Sequence, residues 1–157
     1  MKITTLLFDF SWVLVFPKDR FYAGAVNDLH DRLSNKSGYK FFNNFVLNEP
    51  LLNYLKKIKP LVSINMFTAG HVQDLPEVRE KIDPVFERIY SKDGVGMKKT
   101  DPKAYEFIAK NLGKKVEEIL FIDDTEKNVE AAKKAGLQTI VYKSNEQLFK
   151  QLDKILK

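Results

Sequence analysis

Leu120-Phe121-Ile122-Asp123-Asp124-Thr125 is a short apolar run that stops on two carboxylates and a hydroxyl. A run this continuously apolar fits a strand covered on both faces. The residues that follow, Glu126–Ala135, carry helical spacing; Thr125 stands where an N-cap belongs and Gly136 where a C-terminal glycine belongs. The segment therefore reads as strand, acidic turn and capped helix.

Outward from it the same grammar repeats. Ile3–Phe8, Leu61–Phe67, Arg88–Ser91 and Thr139–Tyr142 join Ile119–Ile122 as predicted strands. Leu51–Lys59, Pro76–Ile82, Pro102–Leu112 and Asn145–Leu156 are predicted helices, the third opened by Asp101 before Pro102 and closed by Gly113. Strand and helix alternate without an internal repeat, which predicts a three-layer, Rossmann-like α/β fold around a parallel sheet of about five strands. With 157 residues, the chain is expected to form one domain, 1–157, large enough to bury roughly 70% of its unfolded surface without staples.

Composition narrows the chemistry. There is no cysteine, so disulfide scaffolds, thiolate metal sites and cysteine nucleophiles are excluded. The net charge of +5 hints at a polyanionic partner. However, residues 1–91 hold 12 basic against 10 acidic side chains and residues 92–157 hold 14 against 11. No one-sided basic stripe emerges, and a nucleic-acid partner is not expected. The run Met1–Phe8 is too short for a signal-peptide core or a membrane span. No membrane association is expected, and a cytoplasmic location is.

One segment interrupts the alternation. Residues 17–46 are longer than an ordinary crossover, contain a helical stretch at Asn27–Leu33, and end in the aromatic run Tyr39–Phe45. Of the nineteen Phe, Trp and Tyr residues, eight fall between Trp12 and Phe45. A local mini-core under a long loop explains them, as does a small lid over the strand ends or, for Phe41, Phe42 and Phe45, a homodimer contact.

In open α/β sheets, ligands bind beyond the carboxyl ends of the strands. Here those ends carry Asp9, Thr68-Ala69-Gly70 and Asp123-Asp124, with Lys99 just before the Asp101-Pro102 helix start. Three carboxylates in one crevice repel unless a cation sits among them, and an all-oxygen ligand set favours a hard ion such as Mg2+. The metal and Lys99 would neutralise phosphate oxygens while Thr68 and the amides of the next turn, Ala69 included, donate hydrogen bonds.

This order of Asp, Thr, Lys and Asp-Asp resembles the haloacid dehalogenase-like (HAD) superfamily of phosphohydrolases. Leu6–Leu14 is similar to its first motif, Ile64–Thr68 to the second, Gly96–Pro102 continuing through Tyr105 to the third, and Leu120–Thr125 with Asn128, Ala132, Ala135 and Gly136 to the fourth. The resemblance implies a Mg2+-dependent phosphatase in which Asp9 attacks phosphorus and forms an aspartyl-phosphate. It implies Mg2+ held by Asp9, the Ser11 carbonyl, Asp124 and Asp123, the last directly or through water. Lys99 would orient Asp9, Thr68 would hold a phosphate oxygen, and a small phosphorylated metabolite would be the substrate. Members acting on small metabolites often insert a large cap after the first motif; residues 17–46 would be a reduced one.

Two positions depart from the family pattern. Thr100 replaces the usual proline of the third motif, removing a rigid turn but no chemistry. Ser11 stands where phosphatases of the family usually carry a second aspartate, the general acid and base, whose share is worth about 10²–10⁴-fold in rate. A sugar-phosphate phosphatase branch with a similar Met-basic-Lys third motif also lacks that aspartate. His71 is the one histidine near the second motif and a candidate substitute acid. Alternatively, the chain is a weak or silent phosphate-binding module. A receiver-type signalling domain is the other rival, but its acidic pair follows the first strand, whereas here the pair follows the fourth.

Overall fold

The computed structural model describes residues 2–157. In chain order its elements are β1 (Thr5–Phe8), β2 (Val15–Pro17), α1 (Val26–Leu33), α2 (Phe41–Asn44), β3 (Phe45–Leu47), α3 (Glu49–Ile58), β4 (Ser63–Thr68), α4 (Pro76–Ile82), β5 (Arg88–Ser91), α5 (Lys92–Val95), α6 (Pro102–Leu112), β6 (Ile119–Asp123), α7 (Glu126–Ala135), β7 (Gln138–Val141) and α8 (Asn145–Ile155). The five expected strands form one all-parallel sheet in the order β5-β4-β1-β6-β7.

Strand periodicity distributes the core into two layers. Leu6 and Phe8 of β1, with Ile64 and Met66 of β4 and Leu120 and Ile122 of β6, face α3, α4 and α8. Leu7, Phe67, Ile119 and Phe121 face α6 and α7. All of these are buried, so helices cover both faces, as the continuously apolar strands require.

The helix ends follow their sequence signals with one exception. The Asp101 carboxylate accepts from Lys103 N at 3.0 Å, and Gly113 and Gly136 take φ of 67° and 102°, a left-handed turn that suits glycine. Thr125 occupies the N-cap of α7, but its side chain makes no capping bond. Asp123 accepts from Thr125 N instead, at 2.8 Å.

A second, unexpected sheet frames the inserted segment. β2 and β3 pair antiparallel, Val15 opposite Leu47 and Pro17 opposite Phe45, so the segment expected at 17–46 begins and ends inside a ladder. Within it, Phe41 and Phe45 stack with centroids 4.6 Å apart and are both buried. These two buried rings belong to the main core layer of α3 and α8 rather than to a separate mini-core, and Phe42 packs partly buried against the same layer. Phe21 is fully exposed at the tip of the segment. No described helix is long and apolar enough to cross a membrane.

Candidate active site

The chain builds β4 and β5 on one side of β1, then crosses to β6 on the other. The crossing makes the β1–β6 edge a topological switch point, where α/β sheets leave a crevice at the strand ends. Asp9, Thr68 and Asp123 lie at the carboxyl ends of three adjacent strands. Asp9 N donates to Ile122 O at 2.9 Å, and Tyr142 N donates to Asp123 O at 2.9 Å. Lys99 arrives from the loop before α6, where the buried Tyr105 donates from Oη to Lys99 O at 2.6 Å.

The Lys99 ammonium bridges two carboxylates, 2.6 Å from Asp9 Oδ1 and 2.7 Å from Asp123 Oδ2. Below it lie the rings of Phe67 and Phe121, 5.7 and 5.6 Å from Nζ, so the cation rests on aromatic faces in a dry setting. Both oxygens of Asp123, which is wholly buried, are committed. Oδ1 takes the Thr125 amide, and Oδ2 takes Asn128 Nδ2 at 3.0 Å as well as Lys99. Charge-assisted bonds of this kind are about twice as strong as neutral ones.

Lys99 pairs with two of three clustered acids. Asp9, Asp123 and Asp124 each offer an oxygen, all within 4.8 Å of one another. Burial pushes the Asp9 carboxyl up from 3.8 to about 8, against the pull of Lys99 and with Asp123 and Asp124 adding to the rise. Burial raises Asp124 as well, Asp123 adding to it while its hydrogen bond with Asp9 works against it. For Lys99 burial acts downward, but Asp9 and Asp123 outweigh it and lift the ammonium above its ordinary value. The donor set is all oxygen and short of positive charge, which fits a hard divalent cation.

The cleft above these groups has a volume of about 240 Å³; Asp9, Ser11, Thr68, Ala69, Lys99 and Asp124 all line it, so these expected site residues converge, while the buried Asp123 joins them through Lys99. His71 does not line the cleft. Its Nε2 turns to Asp31 Oδ1 at 2.9 Å, which removes it from the role of substitute acid. The titratable groups that do line the cleft are Asp9, Lys99 and Asp124.

Two further residues shape the cleft. Trp12 adopts φ 65°, a strained setting for a bulky residue that tends to mark functional turns. Its amide donates to Val15 O at 2.9 Å and its Nε1 donates to Gly24 O at 3.1 Å. The loop after Asp9 is thereby folded back and tied to the inserted segment. Asn27 of α1 accepts on Oδ1 from His71 N at 2.7 Å and Val72 N at 3.0 Å, fixing the turn after Thr68. A Cβ on Gly70 would collide with the Asn27 amide, so a residue without a side chain is needed there. Sequence reasoning missed Asn27 because its partners lie more than forty positions away; the Thr-Ala-Gly turn was the only local signal.

Comparison with known proteins agrees with this geometry. A drimenol cyclase from Aspergillus calidoustus is 28% identical over 71 residues, 45% of this chain and 13% of that protein. The mouse bifunctional epoxide hydrolase 2 is 26% identical over 116 residues, 69% of this chain and 21% of that protein. The chain thus spans about a fifth or less of the length of these curated relatives. Among solved structures, an aspartate-to-alanine mutant of a HAD family enzyme from Bacteroides thetaiotaomicron, in complex with magnesium and inorganic phosphate, superposes with a TM-score of 0.70. That alignment covers 94% of this chain and 98% of that one at 16% identity, and it carries the fold. A match to haloacid dehalogenase-like hydrolases spans residues 22–136, which takes in Thr68, Lys99, Asp123 and Asp124 and begins after Asp9. Extending over well more than half of the sequence, that match shows that the chain belongs to the haloacid dehalogenase-like hydrolase family.

Proposed function

We propose that the protein is a Mg2+-dependent phosphatase, a phosphoric monoester hydrolase that acts through an aspartyl-phosphate on Asp9. The observation that carries this reading is the Lys99 bridge between Asp9 and Asp123 at the switch point, with Asp124 and Thr68 at the same cleft. Magnesium would be held by Asp9, Asp124 and the Ser11 carbonyl, with Asp123, already fully hydrogen-bonded, serving through its orientation of Lys99 or through water. When bound, the ion would offset charge on the phosphoryl oxygens. That the Bacteroides enzyme was crystallised with magnesium and phosphate supports the assignment.

The chain's own residues carry the rest. Lys99 holds Asp9 by Oδ1 and keeps it from turning away. The Asp9 carboxylate attacks phosphorus in line, a new P–O bond forms to Asp9, and the ester P–O bond breaks with its electron pair leaving on the alcohol oxygen. Water then attacks the phosphorus of the aspartyl-phosphate, releasing inorganic phosphate and restoring the carboxylate. Thr68 and the amides of Ala69 and Gly70 cradle the phosphoryl oxygens. A small phosphorylated metabolite fits the 240 Å³ cleft, and in this reading the segment 17–46 is a reduced cap within a single domain.

The test is hydrolysis of p-nitrophenyl phosphate with and without Mg2+. Turnover no greater than that of an Asp9→Asn variant would sink the hydrolase reading in favour of a silent phosphate-binding module. That second reading rests on Ser11, since the titratable groups that line the cleft, Asp9, Lys99 and Asp124, already serve in this reading as nucleophile, its tether and a metal ligand, which leaves none of them free to protonate an alkoxide. The activated ester is therefore expected to be hydrolysed faster than a sugar phosphate by about 10²–10⁴-fold. A Ser11→Asp variant should close most of that gap, and equal rates on both substrates in the wild type would refute it.

Magnesium affinity should depend on pH. With its carboxyl raised to about 8, Asp9 is protonated much of the time near pH 6–7 and must release that proton to ligate a cation. Affinity is expected to climb between pH 6 and 8 and level off above. Calorimetry in two buffers of different ionisation enthalpy should register about one proton released per ion near pH 6.5. An affinity flat across that range would contradict the raised Asp9.

A further inference from the structure

A second group of ligand-type side chains lies where the inserted segment meets the sheet. His30 and Asp31 sit on α1 and His71 in the turn after β4, each offering a ligand atom, all within 4.8 Å of one another. None of the three lines the phosphate cleft. The rings of His30 and His71 face each other with centroids 5.8 Å apart, and Asp31 reaches His71 Nε2 at 2.9 Å.

Three features point beyond a simple surface ion pair. First, His30 is held in place: its Nδ1 lies 2.8 Å from Tyr39 Oη and its ring packs against Phe41 and Phe45. With Nδ1 so engaged, Nε2 is left without a hydrogen-bond partner among the described residues. Metal-bound imidazoles use that arrangement, one nitrogen ligating and the other oriented by an outer partner. Second, burial lowers the proton affinity of His30, with His71 adding to the effect and Asp31 and Glu77 opposing it, which favours the neutral ring that can ligate an ion. Third, Asp31 and Glu77 bring negative charge to the same corner, while the half-exposed side chains of His71 and Asp31, 55% and 57% accessible, leave it open to an ion and its water.

We propose that His30, Asp31 and His71 bind a divalent transition-metal ion such as Zn2+ or Co2+, at a site separate from the Asp9, Asp123 and Asp124 cluster. Two imidazoles and one carboxylate suit a borderline ion and discriminate against Mg2+. Bonds of about 2.0–2.1 Å around a tetrahedral ion set ligand atoms roughly 3.4 Å apart. The accessible His71 ring can make that contraction, exchanging its bond to Asp31 for one to the metal. Water completes the coordination. Because His71 directly follows the Thr68-Ala69-Gly70 turn, the ion fastens α1 to the segment that Asn27 already holds.

The experiment is a Co2+ titration in excess Mg2+, which occupies the carboxylate cluster, followed by visible absorption. One Co2+ per chain is expected, with a band displaced by Zn2+. His71→Ala and Asp31→Asn, both at accessible positions that leave the core intact, should each weaken Co2+ binding by at least about tenfold, whereas Asp124→Asn should leave it unchanged. Zn2+ should also raise the melting temperature of the wild type and not that of His71→Ala. Absence of any Co2+ band, or binding lost in Asp124→Asn and retained in His71→Ala, overturns the site. Neither readout depends on phosphatase activity.

Discussion

Replacing Asp9 with asparagine is expected to abolish turnover of p-nitrophenyl phosphate, with a loss of kcat on the order of 10⁴- to 10⁶-fold. An amide nitrogen and oxygen fill the volume of the carboxylate, and the oxygen can still accept from Lys99, which now sits 2.6 Å from Asp9 Oδ1. What disappears is the proposed nucleophile. A loss of 10⁴-fold corresponds to about 5.5 kcal/mol of barrier, more than positioning through one hydrogen bond supplies. The fold should survive the change, because asparagine keeps the size of the side chain and needs no charge in a place where burial already pushes the Asp9 carboxyl up, with Asp123 and Asp124 adding to the rise. Steady-state kinetics beside a thermal melt separate the two effects. An Asp9→Asn protein that melts like the wild type and retains more than about a hundredth of its rate would remove Asp9 from the role of nucleophile.

Lys99→Ala is expected to be the most destabilising single change in the cleft. It strips from Asp9 and Asp123 the one cation that the described residues pair with them, leaving the wholly enclosed Asp123 with an unpaired buried charge and Asp9 without its partner. Removing one partner of a buried ion pair costs about 3–5 kcal/mol, which for a chain of this length lowers the melting temperature by roughly 6–20 °C. Mg2+ should restore part of that loss by supplying replacement positive charge. Lys99→Arg should not rescue the protein, since the ammonium rests between two aromatic rings and two carboxylates and a planar fork cannot meet that geometry. A melting temperature within about 2 °C of wild type would show that the bridge contributes little.

The sheet and its two layers were legible because its central strands β1 and β6 are contiguous apolar runs, and because strand and helix alternate along the chain. Arg88–Ser91, Pro76–Ile82, Pro102–Leu112 and Glu126–Ala135 fall where the sequence puts them. Proline at the first helical turn and glycine past the last one act over a few bonds, so local reading captures them. The convergence of Asp9, Thr68, Lys99, Asp123 and Asp124 was legible for a different reason: a parallel sheet brings its carboxyl ends together whatever lies between. The β2–β3 ladder escaped detection because its strands have three residues each and its pairing joins Val15 to Leu47, a contact with no local signature. Thr125 occupies the N-cap of α7 as its place in the sequence predicts, but its side chain makes no capping bond, a detail of side-chain orientation that local reading does not capture. Its amide instead donates to Asp123, two residues earlier, whose carboxylate also holds Asn128 and Lys99. Asn27 and Trp12 were unreadable because what they do depends on the docking of α1 and on one left-handed residue.

That short ladder has a structural corollary. By holding Pro17 opposite Phe45, and with Lys18 N donating to Asn44 O at 2.9 Å, it delivers both ends of the inserted segment to a single point on the sheet. The scaffold meets a socket of fixed width, whatever is plugged into it. Doubling the length of the plug would cost only about 0.6 kcal/mol in closure entropy, and the register of β1 against β4 and β6 would not feel it. The length of the inserted segment is in this way separated from the register of the sheet, and the bonds of Asn27 to the turn after Thr68 and of Gly24 to Trp12 are what tie it back to the cleft.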